Sequence, residues 1–297
     1  GALLPYWALY LRSLGFGAQQ IGTLMAVLMA TKIIAPNLWG WVADRTGKRM
    51  AVVRGGSFLA VVAFIGVFVS TEFWPLAVAM FVFSFFWNAV LPQFEATTLT
   101  HLGSGETHEY SRIRLWGSIG FIVAVAGLGP VLDQTGAGIL PYVVLSLYGA
   151  IWLSSLVVPA AAGTATSRES EPLGATLRRP AVIALVLSSF LMQASHGPYY
   201  TFYTIFMEDF GYTRGAIGQL WALGVVAEVI VFIIMGRLLI RYGLRFLLLA
   251  SLWLTTLRWG LTGLFPEQLP VMIFAQTLHA ASFGIFHAVA IALFHRY

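Results

Sequence analysis

The sequence has no cysteine, so disulfide frameworks, thiolate metal sites and cysteine nucleophiles are excluded at the outset. Charge is nearly as scarce. Only 10% of the 297 residues are Asp, Glu, Lys or Arg, while 59% are hydrophobic. Soluble domains carry roughly 25% charged residues, and a chain with less than half of that cannot cover its own surface in water. The bilayer is the solvent that fits, and an all-α membrane protein is the fold class. There is no HExxH pattern and no clustered nucleophile or metal set. Enzyme chemistry, a metal and a cofactor are therefore not expected. The net charge of +5 would suggest nucleic acid only if it were gathered on one soluble face. Its placement says otherwise.

Apolar runs of spanning length follow one another, at roughly 1–12, 18–42, 51–70, 74–98, 114–132, 139–159, 181–206, 214–239, 246–265 and 270–294. Ten helices are predicted. One break is unlike the rest: residues 160–180, AAAGTATSRESEPLGATLRRP, are small, polar and charged. They read as a linker between two parts, 1–159 and 181–297. Alternate breaks hold Arg45, Lys48, Arg49 and Arg54; then Arg112 and Arg114; then Arg168, Arg178 and Arg179; then Arg237, Arg241 and Arg245. The other breaks hold only Arg12 and Arg214. The positive-inside rule places the first set in the cytoplasm. Both end runs look cut, so a truncated first helix and two further helices beyond Tyr297 are expected.

Shifted by 196 residues, the chain overlays itself without a gap. GFGAQQIGTLMAVLMATKIIAPNLWGWVADRTGKR (15–49) lies over GYTRGAIGQLWALGVVAEVIVFIIMGRLLIRYGLR (211–245), with ten of 35 positions identical. Leucines align by chance in apolar sequence; Gly15/Gly211, Gly22/Gly218, Gly40/Gly236, Arg45/Arg241, Gly47/Gly243 and Arg49/Arg245 do not readily do so. Two parallel six-helix repeats with binding at the midplane describe one class of secondary transporter.

The string GWVADRTGKR, with Gly40, Asp44, Arg45, Gly47, Lys48 and Arg49, resembles the signature G-x-x-x-D-R-x-G-R/K-R/K of the major facilitator superfamily. Its degenerate copy keeps Gly236, Arg241, Gly243 and Arg245, with Ile240 in place of the acid. The resemblance implies a major facilitator fold of two pseudo-symmetric six-helix halves, about ten of twelve helices being present here. It also implies a gating role for both copies. Gly47 permits a tight turn, and Asp44 is expected to meet a helix N-terminus of the partner half.

Charges in mid-membrane are costly and usually face a cavity and a partner. Lys32, Glu95, Glu228 and Arg258 stand out, with Arg114 at the expected start of helix 5. Lys32 and Glu228 are repeat mates of opposite sign, which suggests one cavity between the halves that contains both. Several strings resemble lactose permease and its relatives, above all the phenylpropionate-permease branch. FEATT carries Glu95, and SRIRLWGSIGF carries Arg114, Ser118 and Phe121 on one face. The resemblance implies a substrate-binding pair at Glu95 and Arg114. Phe121 stands where lactose permease stacks a tryptophan on sugar. AEVIVF carries Glu228, LRWG carries Arg258 and QTLHAASF carries His279; these match the proton-coupling region. One departure is clear: the family's coupling glutamate is Ser282 here. His196, Tyr199 and Tyr200 also echo the phenylpropionate branch. Arg258 either binds substrate or partners an acid of the helices expected beyond Tyr297.

These readings point to a multi-pass carrier of a bacterial inner membrane, expected to be a monomer. It would move a small organic solute by alternating access, coupled to protons through Glu228, His279 and His196. An aromatic acid would use Arg258 or Lys32, with Tyr199 and Tyr200; a sugar or nucleoside would use Glu95 and Arg114. A proton-independent facilitator or exchanger, and a non-transporting sensor or scaffold, are the alternatives.

Overall fold

The computed structural model describes residues 1–103, 107–160, 178–294 and 296. Among them are ten helices and no strand. They are α1 (Leu3–Ser13), α2 (Ala18–Thr46), α3 (Arg49–Phe64), α4 (Phe73–Leu102), α5 (Thr107–Thr135), α6 (Leu140–Val157) and α7 (Pro180–Asp209). The run Arg214–Leu264 is interrupted at Gly243 (φ 72°, ψ 163°), giving α8 (214–242) and α9 (244–264). The last, α10, spans Leu269–Phe294 and contains a π-helical segment, Ala280–Ile285. Apart from α1, each is apolar and about as long as a bilayer needs. Large side chains such as Trp74 and Ile233 stand 76% and 77% exposed, as lipid-facing residues do.

The helix boundaries correct the sequence reading in three places. α2 continues to Thr46, so most of GWVADRTGKR is helical. Gly47 ends it in the left-handed region (φ 66°), and its N–H donates to the Ala43 carbonyl at 2.9 Å. α5 begins at Thr107 and not near 114, so Arg114 lies two turns inside it. The Glu109–Arg112 pair, 2.9 Å apart at i,i+3, supports those polar turns. The break expected at 240–245 is a single glycine. Pro36, Pro92 and Pro198 sit inside continuous helices. The linker expected at 160–180 lies, for residues 161–177 including Arg168, outside the described residues.

The repeat is written into the backbone. Gly15 (φ 90°) and Gly211 (φ 85°) are mates, as are Gly47 (φ 66°) and Gly243 (φ 72°). Each pair shares a positive φ, which other residues adopt only with strain. Contacts repeat as well. A Cβ on Gly22 would meet the Phe202 ring of α7 at 3.6 Å, and one on Gly218 would meet the Tyr6 hydroxyl of α1 at 2.5 Å. Tyr6 and Phe202 are themselves 196 apart. So are Arg12 and Glu208, which form an ion pair. A residue that pairs with its own mate lies on the pseudo-two-fold axis.

These contacts belong to the end opposite the basic loops, termed the outer end. There Asp133 of α5 caps α8: its Oδ1 accepts from the Arg214 N–H and its Oδ2 from the Gly215 N–H, each at 2.8 Å. Arg214 also donates to Glu208 at 2.8 Å and to the Leu132 carbonyl at 2.7 Å. Arg12 reaches Asp209 at 2.5 Å, and Thr204 donates to the Pro5 carbonyl. At the basic end residues 111–117 of α5 are exposed on every face. The bundle is closed at its outer end and splayed at its basic end.

Candidate functional site

The densest polar cluster lies inside the second half, where α7, α8, α9 and α10 meet. Helical spacing sets it up: His196, Tyr199, Tyr200 and Tyr203 fall at i, i+3, i+4 and i+7 of α7 and line one face. Arg258 of α9 is only 1% exposed. Its guanidinium lies 4.3 Å from the Tyr199 ring centroid and 4.4 Å from that of Trp259. It donates to Ser282 Oγ at 3.0 Å and to Gln276 Oε1 at 3.3 Å. The Tyr199 hydroxyl shares that Gln276 oxygen, at 3.2 Å. No carboxylate lies within 4 Å of Arg258 among the described residues.

Burying such a cation costs several kcal/mol. Two desolvated aromatic faces return about 2 kcal/mol each, and two charge-assisted hydrogen bonds about 1.5–3 kcal/mol each. The cage can therefore hold the guanidinium, while none of the described residues places a counter-charge within 4 Å of it; Ser282 fills the position facing it. A glutamate there would have supplied the counter-charge; a hydroxyl supplies only a lone pair.

Beside the cage, His279 Nε2 stands 3.8 Å from Glu228 Oε2. That is too long for a direct hydrogen bond and short enough for one water to bridge. His279 Nδ1 and Trp259 Nε1 are buried without hydrogen-bond partners among the described residues. His196 faces Ser282 at 3.3 Å through Nε2 and the Met192 carbonyl at 2.8 Å through Nδ1. Glycines let α8 and α10 close on one another here. A Cβ at Gly224 would meet His279 and Gln276 at 3.4 Å, and one at Gly284 would meet Glu228 at 3.5 Å. The π segment of α10 falls in this cluster, where such segments often mark functional sites.

A second site lies in the first half. Lys32 opens onto a cavity of about 260 Å³ walled by Phe83, Trp87, Phe121 and Tyr148, with Asn88 and Ser84 as polar members. Asn88 donates to Thr31 at 2.8 Å, and Thr31 meets Ser84 at 2.9 Å. Lys32, like Arg258, has no carboxylate within 4 Å among the described residues.

The structure therefore joins some expected partners and separates others. Glu95 and Arg114 do pair, at 3.4 Å, with Tyr110 also near Arg114 at 3.4 Å. Both are solvent-accessible at the splayed end. Ser118 is half-buried one turn on, and Phe121 turns to the Lys32 cavity. Lys32 and Glu228 are not brought together: Lys32 faces its aromatic cavity, and Glu228 faces His279. Among the described residues Asp44 meets no helix N-terminus of the other half; at the splayed end it pairs with its neighbour Arg49 at 2.8 Å. Gly40 lies against Gln93 at 3.5 Å, whereas Gly236 faces open space. Arg45 and Arg241 lie over the rings of Trp41 and Tyr242, each at 5.3 Å. The sequence reading missed Trp259 and the Asp133 cap. Trp259 adjoins a flagged arginine in sequence, whereas nothing local to Asp133 announces a helix 81 residues away.

A family model described as "MFS_1 like family" matches residues 1–297. Over 98% of its length the chain is 28% identical to a probable 3-phenylpropionic acid transporter of Escherichia coli (strain K12), covering 77% of that protein. It is 26% identical to the maltose permease of Geobacillus stearothermophilus, over 87% of this chain and 66% of the relative. The chain thus spans two thirds to three quarters of these relatives. The crystal structure of the nucleoside transporter NupG (D323A mutant) superposes with a TM-score of 0.86 at 17% identity, over 99% of this chain and 79% of that one. That likeness shows the major facilitator fold.

Proposed function

The chain is a member of the MFS_1-like family of major facilitator transporters, and from that premise we propose that it carries a small organic carboxylate, of the aromatic-acid type, by alternating access. One observation supports this above the others: buried Arg258 lies in an aromatic cage with no carboxylate within 4 Å among the described residues. A ligand that brings both a carboxylate and an aryl ring complements that cage. One relative is a probable 3-phenylpropionic acid transporter, and that acid carries both groups. Lys32 offers a second unpaired cation beside aromatic walls in the other half. The two halves, 1–159 and 181–297, then rock about the outer contacts, with 160–180 as their tether. The Glu95–Arg114 pair and both copies of the gating motif lie at the splayed end and act on closure there.

Glu228 and His279 form the proton-carrying pair in this reading, with His196 bonded to the serine that holds Arg258. His279 Nε2 and the Glu228 carboxylate, 3.8 Å apart, are the donor and acceptor atoms between which the proton would pass. A monovalent carboxylate moving with one proton carries no net charge. Uptake should then follow a pH gradient and ignore a membrane potential, which would otherwise supply about 2.3 kcal/mol per charge at 100 mV. One copy holds every group invoked, so a monomer in an inner membrane suffices.

The test is uptake into proteoliposomes with each gradient imposed alone, using a panel of labelled aryl carboxylates, sugars and nucleosides. Acid uptake driven by the pH gradient supports the proposal. Uptake indifferent to both gradients leaves a facilitator or exchanger, the reading that Ser282 at the coupling position favours. Sugar or nucleoside uptake without acid uptake would instead place recognition at Glu95 and Arg114.

A further inference from the structure

A groove of about 300 Å³ runs between α2 and α3 on the basic side of the bundle. Trp39, Val42 and Thr46 form one wall, Ala51, Val52 and Leu59 the other, Gly55 and Gly56 the floor, and Lys48 the mouth. From Lys48 to Leu59 the helix rises about 16 Å at 1.5 Å per residue. That is the depth of one leaflet of a hydrocarbon core about 30 Å thick. The groove is apolar along this length and cationic only at its mouth.

The neighbouring cations are engaged elsewhere. Arg49 pairs with Asp44 at 2.8 Å, and Arg45 lies over Trp41. Arg54 donates to the carbonyls of Ser155 in α6 and Val158 just after it, at 3.3 and 2.8 Å. Lys48 is exposed, with no acidic partner within 4 Å among the described residues. Inside the groove, the buried Trp39 Nε1–H has no acceptor among the described residues. A Cβ on Gly55 would touch nothing within 4 Å, so the floor is open there, while Gly56 seats it on α4, where a Cβ would meet the Phe86 carbonyl at 3.3 Å.

We propose that this groove holds one acyl chain of an anionic glycerophospholipid of the basic-side leaflet, with the phosphate against Lys48. Charge and depth select this occupant. Lys48 can bind a phosphate as a point charge, which a zwitterionic headgroup's own ammonium partly cancels. The site stands apart from the Arg258 cage and the Lys32 cavity, so it does not rest on the transport proposal.

Native mass spectrometry of the chain released from nanodiscs of equimolar phosphatidylglycerol and phosphatidylethanolamine tests it. About fivefold retention of phosphatidylglycerol over phosphatidylethanolamine is expected, from the effect of one surface lysine. Lys48→Gln should erase the preference while leaving the apolar groove. Gly55→Leu should displace the lipid itself, and because its Cβ meets open space the fold is retained. Equal retention of both lipids, or a preference that survives Lys48→Gln, overturns the headgroup assignment and with it the proposal. So does undiminished lipid in Gly55→Leu, or a dimer mass that replaces the lipid-bound monomer.

Discussion

Replacing Asp133 with alanine should loosen the outer end of the bundle without unfolding α8. The carboxylate takes the Arg214 and Gly215 N–H groups at 2.8 Å each, joining α5 of one half to the first turn of α8 in the other. A hydrogen bond to a charged group contributes about 1.5–3 kcal/mol, and a carboxylate at a helix N-terminus about 0.3–1 kcal/mol. Asp133 is exposed, so water competes for it and only part of that total counts. A net loss of about 1–2 kcal/mol lowers the ratio of outer-closed to outer-open molecules by about 5- to 30-fold. α8 itself should persist, because Thr213 still accepts the Ala216 N–H at 3.2 Å. The absence of cysteine makes labelling clean. Spin labels at Gln134→Cys and Gln268→Cys, both exposed on the outer side, report the separation of the halves by electron–electron resonance. Asp133→Ala should add a longer-distance population that a substrate binding the outward state enlarges. An unchanged distance distribution would refute the clamp.

Gly218→Val should act more severely, since its Cβ falls 2.5 Å from both the Tyr6 hydroxyl and the Val125 carbonyl; the same labels should show an outer end that no longer closes. Glu228→Gln should remove the dependence of uptake on an imposed pH gradient while substrate exchange continues, and gradient-driven uptake in that variant would remove Glu228 from the proton path. Ser282→Glu places a carboxylate where Arg258 now finds a hydroxyl at 3.0 Å. It should weaken aryl-carboxylate binding at least tenfold, measured by titration calorimetry, because the internal acid competes with the ligand.

Much of this architecture was legible before any coordinates. Ten apolar runs became ten helices because each must satisfy its backbone internally to cross a bilayer. The 196-residue repeat surfaced as glycines of matching positive φ and as mirrored contacts, because glycine alone takes such φ values without strain. The Glu95–Arg114 pair was expected from the family resemblance, and the two side chains do meet, at 3.4 Å. The misses share one cause. Asp133, Trp259 and the separation of Lys32 from Glu228 depend on how helices distant in sequence rotate and tilt against one another, which no local pattern encodes. Asp44 shows the same limit: its motif predicts a partner across the halves, and the partner it has among the described residues is Arg49.

The most direct measurement compares binding of an aryl carboxylate and its neutral primary amide to the purified protein and to Arg258→Gln. If an unneutralised guanidinium selects the ligand, the acid should bind at least tenfold more tightly than the amide, and that difference should vanish in Arg258→Gln while the amide's own affinity changes little. Equal affinities for acid and amide in the unaltered protein, or an acid preference that Arg258→Gln leaves intact, would contradict the account.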